Sequence, residues 1–454
     1  MEGKKEGRRD YLKTVGAAIA GAIIGGALGW VAKPAAPGVT ETVTVTKTVT
    51  AKPTPVKGTF VMSYPNGYAG HYIHLKEAFD ILRITNPELR PEYVGKTWGE
   101  YYEWLLTVFA AGEPPDMPMI DCIWIPKFVE LGYLEPLDEY IAEWPDWENW
   151  IPTFKEGMIW DGHVYGIWLN TDARVWWYWK EFFPEGFPST LEDIIDKAKR
   201  LKAEGKPQIA TWVGAAIYPF MCIYCSICPE DRLKSPGWGL FEIKDGKLYP
   251  IFDDEYGVRS MEYILEMKKA GIEFIDIPGF SASYDKFFEK KISALFAGTW
   301  MSGQALARGY KYEDWEKYFG VAPWPPPRGG RVHAGIPGGW VAVIPKNAKM
   351  PKDLIWEYIR ILVDESVVGK VFAELGYLPT RRDAFDIVVE KSKDPFMDDY
   401  LSYFKNVYIR PEITEWERVS KAIDDAQWSV ILERKKPDEA IKDAAKEVAE
   451  ILGW

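Results

Sequence analysis

The fold class is indicated most clearly by Pro115-Asp-Met-Pro-Met-Ile-Asp-Cys-Ile-Trp-Ile-Pro-Lys-Phe-Val-Glu-Leu-Gly-Tyr-Leu-Glu-Pro-Leu-Asp138. Residues 117–121 form a short apolar run, which is typical of a buried strand. Residues 124–131 carry a helical pattern that ends at Gly132. A buried strand followed at once by a helix is the unit from which parallel α/β sheets are built.

The same alternation continues on both sides of this stretch. Upstream, residues 59–64 read as a first strand, and the turn at 65–67 leads to a helix that begins near His71. Downstream, Thr190 and Asp193 form a capping box at the start of the clearest helix. The buried face of that helix is predicted to consist of Leu191, Ile194, Ile195, Ala198 and Leu201. With 454 residues and no repeat of fixed period, the sequence predicts an α/β protein of two lobes.

The composition restricts the class of partner. The formal net charge is -12 and the isoelectric point is near 5.2. These values argue against nucleic acid or anionic lipid as the main partner, because both require basic patches. The chain contains 22 Trp and 25 Tyr, more than one small core requires. Flat rings with a polar edge suit the faces of sugars, although most single Trp residues are expected in a core or an interface.

The start of the chain, residues 1–33, is predicted to be an export signal or a membrane anchor. The paired Arg8 and Arg9, with the apolar run at 14–32, resemble a twin-arginine signal. The run is close to the length of about 20 residues that crosses a bilayer, so both cleavage and retention as an anchor remain open. Residues 34–58 are rich in Thr and Pro and predict a stalk. We therefore expect an exported protein at the cell surface, tethered to the outer face of the cytoplasmic membrane.

Several stretches taken together resemble one protein family. Residues 115–138 look like the extracellular solute-binding proteins that serve sugar ABC importers, in particular the binders of maltose and trehalose. Trp179 departs from this family, since many members carry Asn at that place. Further stretches agree in the same order along the chain, namely 161–167, 171–183, 188–193, 293–300, 338–346 and 376–381.

The resemblance implies a two-lobed, periplasmic-binding-protein-like fold with a central hinge and a cleft between the lobes. The first lobe would comprise residues 59–168 and 338–378, and the second lobe residues 169–337 and 379–454. Such lobes close on a ligand by bending at the connecting strands.

Two aspartates are the first candidates for binding sugar hydroxyls, because an ionised carboxylate accepts hydrogen bonds. Asp121 ends a predicted strand, and the resembling family uses the acid at this place to bind sugar. The alternative for Asp121 is an N-cap of the helix that follows. Asp172 lies on the presumed crossover between lobes, where its alternative role is a hydrogen bond at the hinge.

Aromatic side chains and one glycine complete the predicted ligand site. Trp300 and Trp340 follow glycine-containing turns at strand ends and would stack on the sugar, the alternative being core packing. Gly339 would let a ligand approach the backbone closely. Further candidates are Tyr68 on the first turn, His71 at the first helix start, and Tyr218 and Trp416 on predicted helices.

Two other constellations suggest metal chemistry. Cys222, Cys225 and Cys228 have a spacing found among iron–sulfur ligands, and a disulfide is also compatible with export. His71 and His74, with a glutamate one turn later, could share a helical face toward a metal. The cysteines lie among apolar residues and the histidine set is incomplete. We therefore expect no metal, no cofactor and no catalytic residue.

The sequence thus predicts a non-enzymatic protein that captures a small sugar or oligosaccharide. Its expected partners are that ligand and the membrane permease of an ABC importer, with a monomeric ligand-binding body. One alternative is a glycoside hydrolase that uses Asp121 and Asp172 as paired carboxylates. A binding protein for a non-sugar solute is the other.

Overall fold

The computed structural model describes residues 55–65, 69–214, 218–332, 338–403 and 413–454, and its strands form two main sheets. Two short hairpins, β4 with β5 and β9 with β10, accompany them. The strands are β1 Gly58–Pro65, β2 Leu89–Lys96, β3 Met117–Asp121, β4 Ile159–Trp160, β5 His163–Val164, β6 Ile167–Thr171, β7 Arg174–Trp179, β8 Gln208–Trp212, β9 Phe241–Lys244, β10 Lys247–Pro250, β11 Glu273–Ile275, β12 Ile292–Gly298, β13 Phe319–Ala322, β14 Gly339–Ala342 and β15 Leu378–Pro379.

Helices cover both sheets, as the alternating pattern predicts. Short 3₁₀ helices lie at Cys122–Trp124, Pro145–Asn149, Arg232–Lys234 and Ile277–Gly279. The α-helices are α1 Ala69–Thr85, α2 Trp98–Ala110, α3 Ile125–Glu130, α4 Asp138–Ala142, α5 Pro152–Glu156, α6 Leu191–Ala203, α7 Phe220–Ile227, α8 Glu255–Ala270, α9 Phe280–Phe288, α10 Met301–Ala307, α11 Tyr312–Tyr318, α12 Lys352–Leu362, α13 Glu365–Leu375, α14 Arg382–Lys391, α15 Met397–Tyr403, α16 Trp416–Ile431 and α17 Pro437–Ile451.

The first lobe contains the sheet β15-β6-β14-β3-β1-β2. Strands β2, β1 and β3 run parallel, and β14 runs antiparallel between β3 and β6. All five residues of β3 are buried, which confirms the strand predicted from its apolar run. The 3₁₀ turn and α3 follow it directly, so the chain folds here as the predicted strand and helix.

The second lobe contains the sheet β11-β8-β12-β7-β13. Helix α6 begins where the capping box predicts: Thr190 Oγ1 accepts a hydrogen bond from Asp193 N at 3.2 Å and donates to Asp193 Oδ2 at 2.7 Å. The predicted apolar stripe of α6 is buried in full. This helix packs on α8. The C-terminal helices α16 and α17 pack on α8 as well.

The crossover between the lobes lies a few residues later than the sequence suggests. The predicted boundary between residues 168 and 169 falls inside β6, whose residues Asn170 and Thr171 still pair with β14 and β15 of the first sheet. The chain enters the second sheet at Arg174, so Asp172 and Ala173 form the connection. The mixed α/β fold with two sheet-containing lobes is confirmed.

The return segment after Pro379 also begins beside the first lobe rather than in the second. Helix α14 packs on α13, and a Cβ at Gly369 would lie 2.3 Å from Cγ2 of Ile387. The segment reaches the second lobe at Phe396, whose ring packs edge-on against Trp177 of β7 at 5.6 Å, and α16 and α17 then pack on α8. The close approach at Gly369 lets α14 pack tightly on α13.

Tryptophan fills much of the core of the second lobe. Trp176, Trp177 and Trp179 on β7 are all buried, and since successive side chains of a strand point to opposite faces, both faces of β7 are covered. Trp179, the departure from the family pattern, donates its indole N–H to Phe287 O at 2.8 Å. Its ring therefore has a structural role.

The predicted signal and most of the predicted stalk, residues 1–54, lie outside the described residues. Across the part of the chain that the structure does describe, every helix is too short or too polar to cross a bilayer.

Candidate functional site

Side chains from both lobes line one cleft of about 570 Å³, including the solvent at its mouth. Several of them stand at strand ends, where parallel α/β sheets usually bind ligands. The described residues that line the cleft are Trp98, Asp121, Asn170, Asp172, Arg174, Trp212, Gly214, Tyr218, Phe280, Trp300, Gly338, Gly339, Trp340 and Tyr377.

Asp121 occupies the wall of the first lobe, at the end of β3 and opposite Trp340 on β14. Its Oδ1 accepts a hydrogen bond from Ile123 N at 3.4 Å, so the helix-capping role left open by the sequence is present. Its Oδ2 accepts from Trp98 Nε1 at 3.3 Å. Only 5% of Asp121 is exposed, so a ligand hydroxyl that reached it would find a carboxylate held from two sides.

Trp340 is held by other aromatic rings of the first lobe. Its ring centroid lies 5.5 Å from that of His71 and 6.0 Å from that of Trp124, both in edge-on geometry. His71 in turn stacks on Tyr377 at 5.3 Å. These contacts fix the orientation of Trp340 at the cleft.

Gly339 lines the cleft, and its lack of a side chain is required by packing within the protein rather than by a ligand. A Cβ at this position would lie 1.9 Å from Nε1 of Trp168 and 2.4 Å from the carbonyl oxygen of Asn170. The close approach that requires glycine is therefore to the protein's own β6. Trp168 Nε1 donates to that same carbonyl at 2.9 Å.

The wall of the second lobe is a row of rings. Phe280 stacks on Trp212 with centroids 4.6 Å apart, and Trp212 stacks on Trp300 at 5.9 Å with an interplanar angle of 11°. Both indole N–H groups are satisfied by the protein: Trp212 donates to Ser283 Oγ and Trp300 to Tyr284 OH, each at 3.1 Å. Burial raises the pKa of the Tyr284 phenol, which keeps it protonated.

A charged pair lies where the chain crosses between the lobes. Arg174 Nε is 3.3 Å from Asp172 Oδ1 and donates to Tyr218 OH at 3.1 Å. The guanidinium carbon lies 4.4 Å from the ring centroid of Trp300. Asp172 thus forms an ion pair at the hinge and also lines the cleft, while its alternative role, a hydrogen bond at the hinge, stays a prediction.

The lobes also touch beside the cleft. Trp124 Nε1 of the first lobe donates to Glu417 Oε1 at the start of α16, at 2.8 Å. Lys127 Nζ lies 3.9 Å from Glu415 Oε1 in the same region. The structure therefore holds the lobes together by direct polar contacts.

The structure brings most of the predicted site residues to the cleft. His71 lies directly behind it, against Trp340 and Tyr377. Trp416 is fully buried at the start of α16 and does not belong to the lining residues described above, and Tyr68 lies outside the described residues. The predicted residues that line the cleft are Asp121, Asp172, Tyr218, Trp300, Gly339 and Trp340.

One position was assigned to the wrong element. Tyr218 was predicted on a helix, but α7 begins at Phe220, and Tyr218 instead forms an isolated bridge with Gly214. Pro219 forms a turn between Tyr218 and α7, and Tyr218 lines the cleft.

Sequence reasoning missed several cleft residues. Arg174 stands two residues after Asp172. These opposite charges on the crossover could have predicted that Arg174 lies at the cleft with Asp172. Trp212 ends β8 as Trp300 follows β12, so the same strand-end argument applies to it. Trp98, Asn170, Phe280 and Tyr377 carried no comparable signal, because their approach depends on how the lobes meet.

The cysteine pattern proves to be structural. Cys222, Cys225 and Cys228 are buried, and these three and Cys122 are free thiols, so no disulfide joins them. Burial raises the pKa of the Cys228 thiol to about 11, which keeps it protonated at neutral pH. The described residues contain no cluster of Cys, His, Asp or Glu suited to a metal.

The histidine pattern is structural as well. His74 Nε2 is 2.7 Å from Leu362 O, and the nearby Glu77 pairs with Lys370 at 2.7 Å. Burial, as the largest cause, lowers the pKa of His71 to about 3 and that of His74 to about 4. Both rings are therefore neutral at physiological pH and belong to the core.

Comparison with known proteins identifies the family. The model of the bacterial extracellular solute-binding protein family matches residues 83–367, more than half of the chain. The chain belongs to this family. Members of this family bind solutes and are not enzymes. The glycoside hydrolase alternative for this solute-binding protein is therefore wrong. Its family also makes it an exported protein.

Individual relatives of this solute-binding protein are distant but extend over most of its length. A binding protein of Brucella abortus is 23% identical over 86% of this chain and 92% of its own. The maltotriose-binding protein of Pyrococcus abyssi is 23% identical over 71% of this chain and 67% of its own.

Solved structures share the fold. The GacH receptor of Streptomyces glaucescens, determined without ligand and with acarbose, has a TM-score of 0.73 at 19% identity and covers 87% of this chain and 99% of its own. The maltotriose-binding protein of Thermus thermophilus, bound with maltotriose, has a TM-score of 0.70 at 18% identity and covers 87% and 100%.

Proposed function

We propose that this solute-binding protein captures a sugar or short oligosaccharide in the cleft and presents it to the permease of an ABC importer. The observation that carries the proposal is the lining itself. It combines two carboxylates, Asp121 and Asp172, with aromatic rings from both lobes. Carboxylates accept hydrogen bonds from sugar hydroxyls, and rings cover the apolar faces of sugars.

The relatives support the same class of ligand. Three of the proteins named above have a stated ligand, which is maltotriose for two of them and acarbose for the GacH receptor. A non-sugar solute remains the competing candidate from the sequence, but the cleft residues that the structure describes favour a ligand rich in hydroxyls.

Each wall of the cleft has its own part in the proposal. Asp121 and Asn170 would bind hydroxyls from the first lobe, where Trp98 and Trp340 would cover a sugar face. Phe280 would cover the sugar from the second lobe. Closure would exclude water from these contacts and strengthen them.

The proposal extends to the location of the protein. Residues 1–33 would hold it to the outer face of the cytoplasmic membrane, and residues 34–58 would act as the stalk. Membrane fractionation of cells that express the full chain, against a chain beginning at Pro55, tests the tether. Recovery of both chains in the soluble fraction would contradict it.

Titration calorimetry tests the ligand class. The purified folded part should bind at least one of maltose, maltotriose and trehalose, with a 1:1 stoichiometry. Small-angle scattering should show the closed form at saturation. Binding of amino acids or peptides, with no response to any sugar, would contradict the proposal.

A further inference from the structure

Trp300 lies in the cleft wall, but other residues of the protein cover most of its ring. Its ring stacks on Trp212 at an interplanar angle of 11°, and its Nε1 donates to Tyr284 OH. A Cβ at Gly298 would lie 2.0 Å from Trp300 Cζ3, so the backbone of β12 also lies against the ring. Only 2% of Trp300 is exposed. Little of this ring is left for a sugar to cover.

The group that lies over Trp300 at the cleft is the guanidinium of Arg174. The distance from Arg174 Cζ to the ring centroid is 4.4 Å, which is a cation–π contact. Arg174 also lies 5.8 Å from the ring centroid of Tyr218. Because a guanidinium is flat, stacking on an indole fixes its plane as well as its position.

A hydrogen bond and an ion pair fix the same side chain along its edge. Arg174 Nε donates to Tyr218 OH at 3.1 Å and forms an ion pair with Asp172 Oδ1 at 3.3 Å. The side chain is 11% exposed and lines the cleft. Since a guanidinium carries five N–H donors and no acceptor, it can only recognise acceptor atoms of a ligand.

We propose that Arg174 is a specificity-determining residue that donates to an acceptor oxygen of the ligand, and that Trp300 is a positioning residue that acts through Arg174. This inference rests on the proposed function. The ligand class that follows is a neutral sugar. Asp121 and Asp172 outnumber Arg174 among the described lining residues, so the cleft offers no excess positive charge for a sugar acid.

A double-mutant cycle tests the inference, with maltotriose and maltose as probes in titration calorimetry. Arg174→Gln and Trp300→Leu are each expected to weaken binding by about tenfold or more, because a charge-assisted donor is lost or misplaced. The double variant should bind about as weakly as Arg174→Gln alone, because Trp300 acts through the residue already removed. Trp300→Phe, which retains a ring face, should recover most of the affinity.

Trp98→Leu supplies the matched control, since Trp98 lines the opposite wall, where its ring packs on Trp124 and its Nε1 donates to Asp121 Oδ2. Its penalty should multiply with that of Arg174→Gln. Circular dichroism in the aromatic region verifies that each variant is folded. A folded Trp300→Phe variant allows the test even if Trp300→Leu fails to fold.

The outcomes separate the two proposals. If the native protein binds neither probe nor any other sugar, the proposed function fails and this inference with it. If the native protein binds and the penalties of Trp300→Leu and Arg174→Gln multiply, only the inference is overturned. Binding of glucuronate or galacturonate in preference to the neutral sugars would overturn the ligand class.

Discussion

Asp121 serves the fold and the cleft with different oxygen atoms. Oδ1 caps the 3₁₀ turn through Ile123 N, and Oδ2 accepts from Trp98. The two alternatives that the sequence left for this residue are therefore compatible. A position at the end of a buried strand is adjacent both to a helix start and to the ligand cleft of an α/β lobe.

Asp121→Asn is expected to weaken sugar binding while leaving the fold intact. The amide oxygen can still cap the turn, but the amide nitrogen cannot accept from Trp98 Nε1, and the negative charge that strengthens hydrogen bonds from hydroxyls is lost. We expect about a tenfold loss of affinity by calorimetry and a loss of about 1 kcal/mol in the free energy of unfolding.

Asp116→Asn is the control for this prediction. Asp116 is also a buried aspartate, but it accepts hydrogen bonds from the backbone N–H groups of Val61, Lys349 and Met350 at 2.8 to 3.0 Å. This variant should lose about 1–3 kcal/mol of stability with native affinity. The prediction fails if the two variants show the same loss of affinity.

The sequence predicts part of the candidate site. The residues that it predicts and those that it misses differ in a physical respect. Asp121, Trp300 and Trp340 stand at strand ends, where one sheet alone determines their place. Trp98 and Phe280 begin helices on different lobes, and they face one cleft only because the lobes meet there. Sequence patterns within one element carry no information on that meeting.

Individual elements follow local rules closely. Helix α6 has its cap, its apolar stripe and its end at Glu204, followed by Gly205 at φ 64°, all in the predicted order. By contrast, the short strand β15 and the two-residue strands β4 and β5 carry no periodic pattern. Elements of this length are stabilised by tertiary contacts, so their sequence alone does not predict them.

Thr190→Ala removes the N-cap of α6. We expect a loss of about 1 kcal/mol in the free energy of unfolding, since the N–H of Asp193 loses its acceptor. Thr107→Ala is the control, because Thr107 donates to Glu103 O within α2 and caps no helix. Urea titrations that gave equal stability for the two variants would contradict the capping role.

His74 joins α1 to the end of α12 and makes stability depend on pH. Burial lowers its pKa to about 4, whereas an unfolded histidine takes up a proton near pH 6.5. Between these values the unfolded state binds a proton that the folded state does not, so stability falls as the pH falls. The contribution approaches about 1.4 kcal/mol per pH unit.

His74→Gln should therefore flatten the dependence of unfolding free energy on pH between 6 and 4.5, by about 1 kcal/mol per unit. The glutamine side chain is chosen because its amide can replace the donor to Leu362 O. Urea unfolding at several pH values gives the slope. Parallel curves for the native protein and the variant would show that the pKa of His74 is not lowered in the folded state.

We expect direct contacts between the two lobes to influence ligand affinity. Trp124 and Glu417 bond across the lobes beside the cleft, at 2.8 Å. A contact of this kind exists only while the lobes are together, so it stabilises the closed form with or without ligand. If this contact is lost, part of the ligand's binding free energy is needed to close the lobes, and the ligand binds more weakly.

Glu417→Gln is expected to weaken sugar binding by about fivefold, because the charge-assisted hydrogen bond from Trp124 becomes a neutral one. Small-angle scattering without ligand should show a larger radius of gyration than for the native protein. Glu415→Gln is the control, since its contact with Lys127 is 3.9 Å and exposed pairs contribute little. Native affinity and native scattering for Glu417→Gln would refute the role of this contact.

The central place of β14 in the first sheet has a consequence for biosynthesis. This strand, Gly339–Ala342, joins β3 to β6, and without it the six strands fall into two separate groups. The first lobe therefore cannot finish folding while a ribosome is still making residues before 339, although its first strand emerges nearly three hundred residues earlier. Most of the polypeptide must be synthesised before either half becomes resistant to proteases or aggregation, and a chaperone that shields β1–β3 during this interval would raise the yield of native protein.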